Sequence, residues 1–182
     1  MQHNSEKTPE PLESTHPSQG PSDNDELRIL KEQDQAARIA VVIDWDIVGP
    51  QDARRRDEVT NMLHSGCVRT ANDFYNAALI FQHGGGLADY QLAYALATIS
   101  IRLSPNSKDA RWLSAASWDR IMKSMERPQW YGTQYTGPHA SGSKWRLYEV
   151  DEDAVSDEQR SALGVPTIAE MQARIRQLND DA

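Results

Sequence analysis

Few side chains in this sequence combine reactivity with positions that a solvated surface does not explain. They are His83, Asp119, Arg120, Gln129 and Gln134, all between Thr70 and Gln134. A histidine exchanges protons near neutral pH, and an arginine grips an anion or a carbonyl with its planar fork. Together they suit a hydrolase or transferase with His83 as general acid or base, Asp119 orienting it and Arg120 holding an anionic or carbonyl group. That reading requires His83 to lie within hydrogen-bond reach of Asp119 or of a bound water. The same stretch also suits a binding site for a small polar ligand or a partner protein. In that reading Gln82, His83, Arg120, Gln129, Tyr131 and Gln134 supply the contacts, and Trp130, Tyr131 and Trp145 the aromatic walls. A third reading has these residues lock an aromatic arm onto the helices.

Each residue also has a plainer explanation. His83 ends a helical stretch before Gly84-Gly85-Gly86, where the helix dipole favours a histidine and Gly84 would form a left-handed cap. Three glycines exceed what a cap needs and lead into a helix N-terminus, where anions bind well. They lack the Lys-Ser or Lys-Thr ending of a phosphate loop and match no dinucleotide fingerprint. Asp119 has Lys123 at i,i+4, and Arg127 to Gln134, RPQWYGTQ, reads as a rigid loop pinned by its two amides. No serine lies in a nucleophile elbow and no His-Glu-x-x-His spacing occurs, so no metal or other cofactor is expected. Cys67 is the lone cysteine, which excludes an internal disulfide and a cysteine-rich zinc site. His64 and Arg69 flank it, but a single cysteine after a helix stop reads as inert.

The elements that position these residues read as helices. Leu27, Leu30, Ala37, Ala40 and Val41 predict a helix from about Asp23, with Ile39 to Ile43 as its end and Asp34–Arg38 as an exposed i,i+4 ion pair. Gly49-Pro50 breaks the chain, and Asp52 to His64 forms a second helix with Val59, Met62 and Leu63 inward and its arginines outward. Thr70 and Asp73 open a third with a capping box, and Phe74, Ala77, Ala78 and Phe81 are its inward stripe. A fourth, from about Asp89 to Leu103, turns Leu92, Leu96, Ile99 and Leu103 to one face, beside Ala93 and Ala97. A fifth, Lys108 to Met125, turns Trp112, Leu113, Ala116, Ile121 and Met125 inward. Beyond Pro128 lies an irregular, aromatic and glycine-rich arm in which Lys144 to Tyr148 is a short strand or an extended crossing. Capping boxes at Ser156 and Thr167 open two last helices. The fold class is therefore mainly α: a single helical domain over residues 25–180, with repeat-like antiparallel helix hairpins plus the arm. Residues 1–24, rich in Pro, Ser and Glu, read as a disordered tail.

The 182 residues carry a formal charge of −8, which argues against nucleic acid as a partner. The run Arg54-Arg55-Arg56 is offset by Asp52, Asp57 and Glu58. No run approaches a membrane span, and the first residues lack the order of a secretory leader. A cytoplasmic protein with no membrane partner is expected.

The order DQAAR, AALIFQHG, DYQLA, ARWLSAASWDR, RPQWYGTQ resembles an uncharacterised bacterial domain family of unknown function. The likeness covers about residues 30–170. It rests on Asp34, Gln35, Arg38, Gln82, His83, Asp119, Arg120, Gln129, Gly132, Thr133 and Gln134, and fits only loosely from Ile43 to Asp52. The resemblance implies a bacterial source and an all-α domain, and implies no particular activity.

Overall fold

The computed structural model describes residues 20–39, 43–137 and 144–180. Seven helices occur among them: α1 Asp25–Ala36, α2 Trp45–His64, α3 Ala71–Gln82, α4 Leu87–Leu103, α5 Lys108–Ser124, α6 Asp157–Ala162 and α7 Ile168–Asp180. Two short strands, β1 Tyr135–Thr136 and β2 Arg146–Leu147, pair antiparallel with Tyr135 opposite Leu147. The chain is thus mainly helical, with consecutive helices as antiparallel neighbours, as its periodicity predicts. No helix described is long and apolar enough to cross a membrane.

Side chains fix most of the helix starts. Asn24, Asp44, Thr70, Ser107 and Ser156 each accept an orphan backbone N–H, and reciprocal capping boxes form at Thr70–Asp73 and Ser156–Gln159. Thr167 and Glu170 exchange the same pair of bonds ahead of α7. Helix α3 is the hub, in contact with α1, α2, α4 and α5. Its Ala77, Ala78, Ile80 and Phe81 are buried with Leu27, Leu30, Val59, Met62, Leu96 and Leu113. Ala93 and Ala97, both fully buried, let α4 approach closely.

Several boundaries and faces differ from the sequence reading. Helix α1 stops at Ala36, and the expected end at residues 40–42 lies outside the described residues, as does the tail over residues 1–19. Helix α2 begins at Trp45 and runs through Gly49-Pro50. Pro50 sits in an exposed early turn, so the carbonyl it leaves unbonded, that of exposed Asp46, can turn to water. On α4 the buried position goes to Ser100, whose hydroxyl donates to the Ala71 carbonyl at 2.7 Å, and Ile99 and Leu103 face solvent. Trp112 of α5 and Met125, which follows its last turn, are likewise exposed.

The arm is clamped by a second small core in which Ala115, Val165 and Met171 pack with Tyr131, Leu147, Leu163 and Ile168. Gly132 is the tight point, with φ +86° and a position where a Cβ would come within 2.6 Å of Met171 Cε. Gly164 has a similar φ of +73° but open space around it. Gly132→Ala should therefore cost about 2–4 kcal/mol, strain plus overpacking, against about 1 kcal/mol for Gly164→Ala. Urea unfolding of the two variants beside the parent measures the difference.

Candidate functional site

The residues singled out by the sequence separate into two polar clusters joined by one arginine. The first is centred on Asp119, fully buried on α5. One of its carboxylate oxygens accepts from the backbone N–H groups of Trp130 and Tyr131, each at 2.9 Å. The other accepts from the N–H and the hydroxyl of Thr133, at 2.9 and 2.8 Å. Burial pushes the Asp119 carboxyl up from its usual range, and these donors oppose the rise.

Gln129, also fully buried, finishes the loop. Its amide nitrogen donates to the carbonyls of Gln134 and Tyr148, and its amide oxygen accepts from the Gln134 N–H. Its backbone bonds to Glu149 and Asp151. Arg160, 2% exposed, donates to the Trp130 carbonyl at 2.8 Å. Asp119 and Gln129 thus spend their polar atoms on the loop. Both act as the lock of the third reading.

The second cluster corrects the assignment of His83. Its partner is Asp34 of α1, not Asp119: His83 Nδ1 lies 2.7 Å from Asp34 Oδ2. Asp119 cannot orient the ring, because its four hydrogen bonds go to the loop. Asp34 is 1% exposed, and Gln35 Nε2 also donates to it, at 2.8 Å. Arg38 Nη1 lies 2.9 Å from Asp34 Oδ1 and donates to the Asp34 carbonyl, while its Nη2 donates to Asp52 Oδ2 at 2.6 Å. Arg55 donates to the other Asp52 oxygen and stands 4.0 Å from Asp34. The Asp34–Arg38 pair is therefore a buried ionic contact rather than an exposed one, and Arg55, 6% exposed, points inward. Two carboxylates and two guanidinium groups interlock α1 with α2, and His83 brings in the end of α3.

Gly84 also has a different role from the one expected. Its φ is not left-handed. It is needed because a Cβ there would collide with the Asp89 side chain. That side chain accepts from the Gly85 N–H at 2.9 Å and lies 3.4 Å from Arg56.

Arg120 joins the clusters. Its Nη1 donates to the Gln82 carbonyl at 2.7 Å, capping the end of α3, and its guanidinium carbon stands 5.5 Å above the Tyr90 ring. Gln82 is buried, and its amide oxygen accepts from Ser117 at 2.7 Å, so it bridges α3 and α5 instead of facing a ligand. Arg120 and Gln134 line a cleft of about 460 Å³ together with Tyr90, Lys123, Ser124 and Tyr135. Gln134 Nε2 donates to Thr133 Oγ1 at 3.0 Å, and its Oε1 has no partner among the described residues. Tyr131 belongs to the small core, Trp130 tilts against Trp118 at 4.7 Å, and the Trp145 backbone is held by Asn179; none of the three lines the cleft beside Arg120. The sequence reading missed Asp52, Arg55, Tyr90, Lys123, Ser124 and Tyr135. Among the described residues no group of three or more His, Cys, Asp or Glu side chains is placed to hold a metal ion.

Two outcomes are expected. Asp119→Ala strands several buried donors and should cost about 3 kcal/mol or more in urea unfolding. Burial raises the Asp52 carboxyl, but hydrogen bonds from Arg38 and Arg55 and their charges outweigh it, leaving Asp52 below the ordinary 3.8. A carboxyl lowered in the fold stabilises fully above its unfolded value, and that contribution is lost as the pH falls through its folded value. Asp52→Asn should therefore lower stability at neutral pH and flatten the acid limb of a stability–pH curve below about pH 4.

Comparison with family models, with curated proteins and with solved structures finds no match for this chain, so its function is argued from the geometry alone.

Proposed function

We propose that the protein is a helical ligand-binding module whose site is the cleft between Tyr90, Arg120, Lys123 and Gln134, and that its ligand is a small anion, a carboxylate or phosphate, bearing a hydrogen-bond donor. The observation that carries this reading is the state of Arg120. Its guanidinium is fixed by the Gln82 carbonyl on one side and by the Tyr90 ring on the other, yet it forms no ion pair among the described residues. Its Nε is buried without a partner, and Nη2 makes no hydrogen bond among them. Lys123 stands on the same cleft, its ammonium 5.5 Å from the centre of the Tyr148 ring and without a carboxylate partner among the described residues. Two cations left unneutralised in a chain of net charge −8 favour an anion. Arg120 Nη2 and the Lys123 ammonium are the donors for it, and Gln134 Oε1 is the acceptor for a neighbouring N–H or O–H. Tyr90 and Tyr135 add aromatic surface.

Thermal unfolding and calorimetry with inorganic phosphate, citrate and neutral glycerol test the reading. The anions should raise the midpoint in a concentration-dependent way and glycerol should not, with the effect falling as salt is added. Arg120 also caps α3, so Lys123→Met is the decisive variant. It should weaken anion binding about two- to fivefold, the size of one exposed charge contact, and leave the unliganded midpoint in place. No anion-dependent shift in the parent chain would overturn the proposal.

A further inference from the structure

The geometry points to a second functional group, independent of the Arg120 cleft: His83 is a proton acceptor whose reactive atom is Nε2, with Asp34 as its positioning residue, and its substrate is a water molecule or a hydroxyl group. The argument starts at Asp34. An ionised carboxylate only accepts hydrogen bonds. Asp34 Oδ2 already accepts from Gln35 Nε2, and the Arg38 guanidinium lies against Oδ1 at 2.9 Å. With Asp34 Oδ2 placed as the acceptor, the hydrogen of the 2.7 Å contact with His83 is assigned to Nδ1. That fixes the tautomer. In the neutral ring Nε2 is left with its lone pair.

Nε2 is also the accessible nitrogen. The His83 side chain is 18% exposed, Nε2 has no hydrogen-bond partner among the described residues, and it is not among the buried unpartnered atoms. A histidine that served only to tie α1 to α3 needs no such open nitrogen. The ring's position is set from two elements: the end of α3 carries it and α1 supplies Asp34.

The step this permits is balanced. Nε2 takes the proton of a water or hydroxyl group, the oxygen keeping the electron pair of the broken O–H bond. The resulting imidazolium, its charge facing Asp34, releases that proton again to solvent water, so no net proton is consumed. Asp34 gains importance as the ring becomes charged, because a buried carboxylate stabilises an imidazolium more than a neutral imidazole.

The first test needs no variant. Nitrogen-15 NMR of the full chain reads the two ring nitrogens of His83, assigned with His83→Gln, across a pH titration. On the alkaline side Nδ1 should be protonated and Nε2 not. The opposite tautomer, or a ring that stays doubly protonated as a fixed ion pair, would overturn the inference. The second test is carbethoxylation by diethyl pyrocarbonate, with the adducts located by mass spectrometry. His83 should react at Nε2 in the parent chain, and an inert ring would equally sink the idea. In Asp34→Asn the amide can donate to Nδ1, which moves the hydrogen to Nε2, so the tautomer should switch and the modification rate should fall. Should that variant fail to fold, the tautomer and reactivity of the parent decide the matter.

Discussion

A carboxylate with no water to turn to must be surrounded by donors, and at Asp119 the donors come from a loop that starts a few residues beyond its own helix. Much of the second half of the molecule follows from that requirement. To present three backbone N–H groups and one hydroxyl to a single side chain, the chain from Trp130 to Thr133 has to curl around the end of α5, and Gly132 supplies the positive φ that closes the curl. Once curled, the loop leaves the Trp130 carbonyl for Arg160, the Gln134 backbone for Gln129, and the Tyr131 ring for the small core against Met171. The arm is therefore held through its backbone, with the aromatic side chains packing afterwards.

The first half obeys a different constraint. Helices α1 and α2 meet through Leu27, Leu30, Val59 and Met62 of the main core, and between them also lie Asp34, Arg38, Asp52 and Arg55. Ion pairs of this kind contribute little net stability once desolvation is counted, but they tolerate few alternatives. Both Asp52 oxygens and Asp34 Oδ2 accept hydrogen bonds, and Asp34 Oδ1 has the Arg38 charge against it, so a shift of α2 by one turn along α1 would strand charges in the interior. The network thus sets register more than it adds strength, and register is what brings Asp34 under His83.

The capping signals in the sequence mark helix starts reliably, whereas the Gly49-Pro50 pair does not break α2. Thr70 with Asp73, Ser107, Ser156 with Gln159 and Thr167 with Glu170 mark helix starts because a cap and its acceptor lie within one turn. The inward stripe of α3 was equally plain. Asp34 shows where such reading ran out. Leu27, Leu30 and Asp34 fall at i, i+3 and i+7, so the aspartate sits on the buried stripe of α1. Asp52 and Arg55 likewise sit on the stripe of Val48, Val59 and Met62. A charge at an apolar position is a signal, yet spacing alone favoured Arg38 as its exposed neighbour. Arg38 is a partner as the spacing suggested, but His83 arrives from the end of α3 and Asp52 and Arg55 from α2, and no periodicity within α1 can name them. The pairing of His83 with Asp119 failed for the same reason, since the donors that claim Asp119 are backbone groups, which the sequence does not distinguish. Ile99, Leu103, Trp112 and Met125 look like core by residue type and are exposed, while the small Ser100 and Ala116 are buried.

Asp119 and Arg120 are consecutive, so about 100° of helical rotation separates their directions. One faces the arm and the other faces the end of α3. Neither can swing without dragging the backbone of α5, which is pinned from both sides at once. Arg120 is thereby held at the edge of its cleft by the Gln82 carbonyl and the Tyr90 ring. If the cleft takes the proposed anion, the ordering cost of association at this guanidinium falls mainly on the anion, and the lifetime of the complex is set by how readily water replaces it there.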